Sequence, residues 1–440
     1  MSCQLDDSLI ITKLMYKQII NGSAVSFTSK IIGAILGYLF ILILTKNYNI
    51  NVLGIYTLSL TILQIFLTLG IFGFDITALK LIIENKESIK SVKSTYKKII
   101  ILTIIFSGII SVIGYISAPY IAEYIFQKSY LTKYIRIIIT AVIPYNLFII
   151  NLESLRAFKK IKHFSILFNI IINFFTLVLL YFSFFLYKNS ELPSIIYVIS
   201  VIISSIISFY LLYKHINTIK NTGDKIFNIT YKSIFNISIP IFLTEISFLF
   251  STSLMFIILG IYYQPKYIGI FVVFTTIASF ISLPFKSTNT ITTPMFAEFW
   301  KNGEKDKIIN TAIKIVNFLL LINIPIILII ILYYNYILRI FSEGINKYFL
   351  VLIILIISEF FNTILGPVKN ILDIIGEQHY VKRIMLLTII LNSLIVIIFI
   401  PKYGILGCAI TDAVTLLFWK IILNYKIKSI FGKFIFPRIK

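Results

Sequence analysis

The chain has 440 residues, of which 58% are hydrophobic and 13% charged, with a mean hydropathy of +0.96. Soluble domains carry about 25% charged residues, so a water-soluble enzyme or binding module is excluded as the body of the protein. The formal net charge of +22 has no soluble domain to carry a nucleic-acid surface; it reads as a topology signal, with contact to anionic headgroups added.

The N-terminal stretch contains Asp6 and Asp7, and no small-residue cleavage site follows the first apolar run, so it does not read as a cleaved signal peptide. Residues 8–20 are expected to form a short interfacial helix. Cys3 and Cys408 are the two cysteines; they imply free thiols and no disulfide framework.

The first span, 21–44, is long enough to cross a bilayer core. It carries Ser26, Thr28 and Ser29, then Lys30, then Gly33, Ala34 and Gly37. A lysine inside a span costs about 2.5–3.5 kcal/mol on insertion scales unless it faces a wet interior. The span therefore has one face for lipid and one for something polar. The alternative is snorkelling, since Lys30 stands only about 13 Å from the nearer span end at 1.5 Å per residue.

Eleven further spans follow at roughly 53–74, 99–118, 137–155, 165–186, 194–213, 236–259, 268–286, 308–332, 349–368, 384–400 and 407–425. They are continuous apolar runs rather than alternating ones, so the fold class is an all-α polytopic membrane protein and not a barrel. The N-terminus, the loops after even-numbered spans with their bordering residues, and the tail hold 29 Lys and Arg; the loops after odd-numbered spans hold 9. Cytoplasmic loops carry the excess of basic residues, which places both termini in the cytoplasm and the protein in the cytoplasmic membrane. The connections are short, the largest outer one being 119–136.

An internal repeat appears at an offset of 215 residues. Asn21 meets Asn236, Ser23 meets Ser238, Phe27 meets Phe242, Tyr48 meets Tyr263, and Gly54-Ile55 meets Gly269-Ile270; 12 of 42 positions from 21 to 62 are identical. Six spans separate the repeats, so the halves have the same orientation. That is a known transporter architecture with a site between the halves near the midplane. The expected division is a six-helix bundle over 1–213, a linker over 214–235, a second bundle over 236–425 and a basic tail over 426–440. Lys30 falls on Glu245, giving opposite charges at equivalent positions.

Intramembrane charges are functional candidates by default. Lys30, Glu245, Glu359 and Asn362 are expected to line the shared cavity, with Ser26 and Ser29. Asp75, at the end of span 2, Glu153 and Arg156, an i,i+3 pair ending span 4, and Asp412, near the outer end of span 12, read as gating or structural charges. Pro144, Pro240, Pro284, Pro325 and Pro367 can kink spans. There is no G-x-x-x-x-G-K-[ST], no H-E-x-x-H and no Cys/His cluster, and His163, His215 and His379 lie apart in loops. No metal site, cofactor or enzymatic activity is expected.

The opening NGSAVSFTSKIIGAILGYLFILILTKNYNINVLGIYTLSLTILQI, followed by LGIFGFD, and the late PKYGILGCAITDAVTLL resemble flippases of the Wzx type. These act in O-antigen and other surface-polysaccharide synthesis. They belong to the multidrug/oligosaccharidyl-lipid/polysaccharide (MOP) exporter superfamily, with the MATE drug exporters and lipid II flippases. The resemblance implies two six-helix bundles around a central cavity. It implies alternating access that moves a polyprenyl-pyrophosphate-linked oligosaccharide across the membrane, in contact with membrane lipids and with other polysaccharide-assembly proteins as candidate partners. It also implies that Lys30 attracts the pyrophosphate, and that Glu245 and Glu359 serve either coupling to H+ or Na+ or hydrogen bonding to sugar. All five arginines (Arg136, Arg156, Arg339, Arg383 and Arg438) lie outside span interiors, unlike the arginine-rich cavities of related flippases. The rival readings are a cation-coupled multidrug exporter on the same fold and a membrane-embedded polymerase or ligase, the latter disfavoured by the short outer loops.

Overall fold

The computed structural model describes residues 2–85, 88–183, 189–218 and 229–437; the side chains of 2–24, 217–218, 247–248, 250–252 and 291 are outside the description. The described residues contain no strand. The first half comprises α1 (Ser2–Tyr48), α2 (Ile50–Ile71), α3 (Phe74–Glu84), α4 (Ile89–Tyr120), α5 (Leu131–Ile139), α6 (Val142–Ala157), α7 (Ile161–Ile166), α8 (Ile172–Ser183) and α9 (Leu192–Thr218). The second comprises α10 (Tyr231–Tyr262), α11 (Pro265–Lys301), α12 (Lys305–Leu332), α13 (Tyr334–Phe341), α14 (Phe349–Ile364), α15 (Val368–Ile374), α16 (Gln378–Tyr403) and α17 (Ile405–Phe431).

Among the described residues, 11 helical stretches are long and apolar enough to cross a membrane. The remaining expected span, 236–259, lies inside the 32-residue α10, part of whose side chains are outside the description. α5 with α6 makes one crossing, Leu131–Ala157, and α7 with α8 another, Ile161–Ser183, joined through a π-helical turn at Leu167–Ile171. The sequence reading separated residues 8–20 from span 1; instead α1 runs unbroken for 47 residues, about 70 Å at 1.5 Å per residue. It therefore continues well beyond a bilayer core of about 30 Å.

The repeat is visible as geometry. The Asn49 side chain caps α2 by accepting from Asn51 N and Val52 N at 3.0 and 3.1 Å. Gln264 occupies the equivalent cap position of α11, with Pro265 at the first helical position, where a missing N–H costs nothing. Both helices thus start at positions 215 residues apart, and they pack on each other. A Cβ on Gly54 would overlap the Pro265 carbonyl and stand 3.1 Å from Gly269 N; a Cβ on Gly269 would overlap the Ile50 carbonyl oxygen and stand 3.2 Å from Gly54 N. Each glycine of the repeat therefore seats the other's backbone, as two-fold contacts require. The same exchange places α1 against α11 and α10 against α2.

Both described chain ends lie at one end of the bundle, here the terminal end; the Gly54–Gly269 contact lies at the opposite, far end. One continuous apolar core occupies the far end and draws on both halves, including Phe40, Tyr56 and Ile138 with Phe271, Phe341 and Leu352. Toward the terminal end the core divides. Phe296, Ile309, Val316 and Leu372 belong to the second half alone, and Phe148, Leu152 and Leu212 to the first alone. A third cluster around Phe74, Leu81 and Ile99 admits only the start of α10, through Ile234. The molecule is a wedge closed at its far end.

The halves differ at the span 2 joint. Phe72 (φ 50°) and Gly73 (φ 73°) are successive left-handed residues that break span 2 from α3, and the Ser238 carbonyl and Phe242 N of α10 press on Gly73. Phe72 stacks on Phe242 with ring centroids 4.2 Å apart. α11 has no such break and continues as one helix for 37 residues, with Pro284 and Pro294 inside it.

Candidate functional site

On α1, Ile32, Ile35 and Leu39 are the exposed apolar stripe. At 100° per residue, Lys30, Gly37 and Ile41 lie along one line roughly opposite Ile32 and Leu39. Lys30 is exposed, and nothing stands within 4 Å of where a Cβ on Gly37 would be. The lysine thus faces away from the lipid stripe, over open space. Ser26 is half-buried one turn before it. Ser29, expected in the cavity, turns elsewhere: it is buried, donates to the Ser26 carbonyl at 3.0 Å and accepts from Asn169 Nδ2 of span 5 at 3.3 Å. Gly33 sits against the same asparagine, so small residues one turn apart serve helix packing.

Glu245 is exposed on α10, on the face that carries Ser238 and Phe242 toward the span 2 joint, and it feels the charge of Asp75. Lys30 and Glu245 form no ion pair. Asp75 lies in the first turn of α3, where a carboxylate complements the helix dipole; it accepts the N–H of Ile76, while burial pushes its carboxyl above the ordinary range. Its Oδ1 is buried without a hydrogen-bond partner. Glu153 pairs with Arg156 at 3.1 Å and also feels Asp75; the Arg156 guanidinium covers the Phe164 ring at 5.5 Å. These groups make one electrostatic neighbourhood where the first half meets α10.

The second half holds a separate set. Asn362 Nδ2 donates to Glu359 Oε2 at 3.0 Å, and Ser358 Oγ donates to Asp412 Oδ2 at 3.4 Å. Asp412 is half-buried in the second turn of α17 and feels both Glu359 and Lys286. Sequence reasoning assigned no role to Lys286 or Lys420. Lys420 is 2% exposed. Its Nζ donates to the Asn362 carbonyl at 3.0 Å and the Gly366 carbonyl at 2.7 Å, and lies 4.6 Å from the Phe285 ring centre. It supplies the donor for carbonyls freed where span 10 breaks between α14 and α15. A lysine inside an apolar run was the available signal; the broken partner helix was not visible.

Of the other residues singled out in the sequence, His163 and His379 are exposed and His215 packs edge-on to Phe158. Cys408 is a buried free thiol. Arg438 and the side chain of Cys3 lie outside the described residues. No group of three or more His, Cys, Asp or Glu side chains among the described residues could hold a metal ion.

The arrangement is thus a wedge with a cation on one leading helix, a carboxylate on the other, and polar clusters in both bundles. Residues 19–300 match the family model described as polysaccharide biosynthesis protein, and residues 240–399 match the MatE model. No curated protein sequence matches significantly. Among solved structures, the fold is similar to an inward-facing multidrug resistance MATE family transporter of the MOP superfamily, at 13% identity over 93% of this chain and 98% of that one, TM-score 0.68. It is similar to the lipid II flippase MurJ in an inward closed conformation, at 17% identity over 93% and 87%, TM-score 0.68. An outward-facing MATE transporter matches at 16% identity over 94% and 96%, TM-score 0.59. The chain belongs to the polysaccharide biosynthesis protein family and has the fold of the MOP-superfamily transporters.

Proposed function

We propose that the protein flips a polyprenyl-pyrophosphate-linked oligosaccharide across the cytoplasmic membrane by alternating access, and that its structure corresponds to the state open toward the cytoplasm. The observation that carries this reading is Lys30, a cation facing the wedge inside a family concerned with polysaccharide synthesis. A polar sugar needs a hydrated path past hydrocarbon, while its lipid tail stays in the bilayer. In this reading Lys30 attracts the pyrophosphate, and Ser26, Asn362 and the carboxylates Glu245 and Glu359 meet the sugar or a coupling H+ or Na+. The bundles 1–213 and 236–425 rock about the far-end contact, with 214–235 as linker and both termini cytoplasmic, as the 29-to-9 bias of basic residues supports. The joint at Phe72–Gly73, beside Asp75, Glu153 and Arg156, acts as a gate.

A cation-coupled drug exporter is the second reading. The match of residues 240–399 to the MatE model and the Glu359–Asp412 neighbourhood favour it; Lys30 opposes it. Complementation separates the two. Expression in cells lacking their own oligosaccharide flippase is expected to restore surface glycan, and Lys30→Ala to abolish it with the protein still in the membrane. Restoration unchanged in Lys30→Ala would remove Lys30 from the site. Failure of the wild type, with raised resistance to toxic cations, would favour the exporter.

A further inference from the structure

A cleft with charged residues on its wall lies outside the wedge, at the far end of the first half. It has a volume of about 390 Å³ and is lined by Ser129, Tyr130, Thr132, Lys133, Arg136 and Glu191. Its charges are unequal. Lys133 and Glu191 neutralise each other in an ion pair at 2.5 Å. Among the described residues Arg136 has no carboxylate partner and its buried Nε no hydrogen-bond partner; its guanidinium lies 5.0 Å from the Tyr115 ring centre. The Thr132 hydroxyl is likewise buried without a partner. Unpaired donors are costly, and these two side chains border one cleft. A guanidinium fork with nearby hydroxyls matches phosphate oxygens. The surroundings fix the depth: Tyr115, Tyr120, Tyr124 and Tyr130 are all exposed here, as aromatic belts are at a membrane interface.

We propose that this cleft binds the phosphate of a lipid headgroup in the far leaflet, with Arg136 as the principal ligand and Thr132 as a hydroxyl donor. The site stands independently of the flippase reading. The phosphate has two candidate sources, an anionic glycerophospholipid and a polyprenyl pyrophosphate.

The test is native mass spectrometry of the full chain titrated with phosphatidylglycerol and, in parallel, phosphatidylcholine. Phosphatidylglycerol is expected to bind wild type more tightly than phosphatidylcholine. Arg136→Gln is expected to weaken that binding at least about tenfold, and Thr132→Val to weaken it less, in the same direction. Phosphatidylcholine, whose phosphate carries an ammonium beside it, should be weakened less. Unchanged phosphatidylglycerol binding in both variants, or equal binding of the two lipids by wild type, would overturn the proposal. Should Arg136→Gln fail to fold, Thr132→Val decides alone, since it removes a hydroxyl and keeps the shape. Adding a short-chain polyprenyl pyrophosphate separates the sources: displacement of phosphatidylglycerol from wild type identifies the pyrophosphate carrier as occupant, and retention identifies the glycerophospholipid.

Discussion

The contact between Gly54 and Gly269 makes a sharp prediction about conformational balance. In Gly54→Ala the new methyl would stand 2.5 Å from the Pro265 carbonyl carbon, about 1 Å inside an ordinary carbon–carbon contact of about 3.5–4.0 Å. The neighbouring atoms are backbone, so no side chain can swing aside; α2 and α11 must part. Overpacking of this kind costs about 1–3 kcal/mol. The penalty falls only on the state in which the far ends touch. A differential of that size shifts a two-state ratio by about 5- to 150-fold, toward the state with the far end open. Gly269→Ala is expected to act alike, and the double variant to fall short of additivity, because the first methyl already separates the shared surface. Spin labels on the exposed Asn47 and Tyr262, at the far ends of α1 and α10, would report the change as a longer-distance population in double electron–electron resonance. A distance distribution and thermal stability both unchanged in Gly54→Ala would refute the reasoning.

Three further expectations follow from individual side chains. Lys420→Met keeps the volume but leaves the Asn362 and Gly366 carbonyls without their donor; a loss of about 2–5 kcal/mol is expected, read as a lowered melting temperature of the purified protein. Asp75→Asn keeps a polar side chain in the first turn of α3 and removes a buried charge. Because the folded carboxyl titrates above its ordinary value, the native Asp75 adds most stability when protonated, and that contribution is lost as pH rises through its folded pKa. Asp75→Asn should therefore melt higher than wild type at neutral pH, with the gap closing as pH falls toward 4; a gap that widens in acid would contradict this. Ile435→Ala removes a fully buried side chain seated on Gly366, and a loss of about 2–5 kcal/mol is expected in the same melting assay.

The elements that were legible in the sequence are those written in local periodicity. Apolar runs gave the spans, and Gly54 and Gly269 stood out as matched landmarks of the repeat, although their contact with each other's helix became visible only in the fold. The direction of Lys30 followed from its place among Ser26, Gly33 and Gly37, because helix geometry alone fixes which residues share a face. Ser29 was misdirected for the same reason: its partner, Asn169, is 140 residues away, and no local pattern reports it. The break at Phe72–Gly73 was hidden inside an apolar run whose hydropathy does not change at the joint. The basic tail read only as a topology signal, whereas Asn424 holds Ile435 by two hydrogen bonds of 2.8 and 3.0 Å, folding it under span 10.

The pairing of Lys30 with Glu245 at repeat-equivalent positions bears on how membrane voltage acts on the carrier. Moving one elementary charge through 100 mV is worth about 2.3 kcal/mol. If the bundles rock about one axis, equivalent positions travel through equal depths in the same sense. With Glu245 ionised, a positive and a negative charge then make the same journey, and their electrical work cancels. Between these two charges the empty swing does no net electrical work, so the voltage dependence of a full cycle would belong to the remaining intramembrane charges and to what the protein carries.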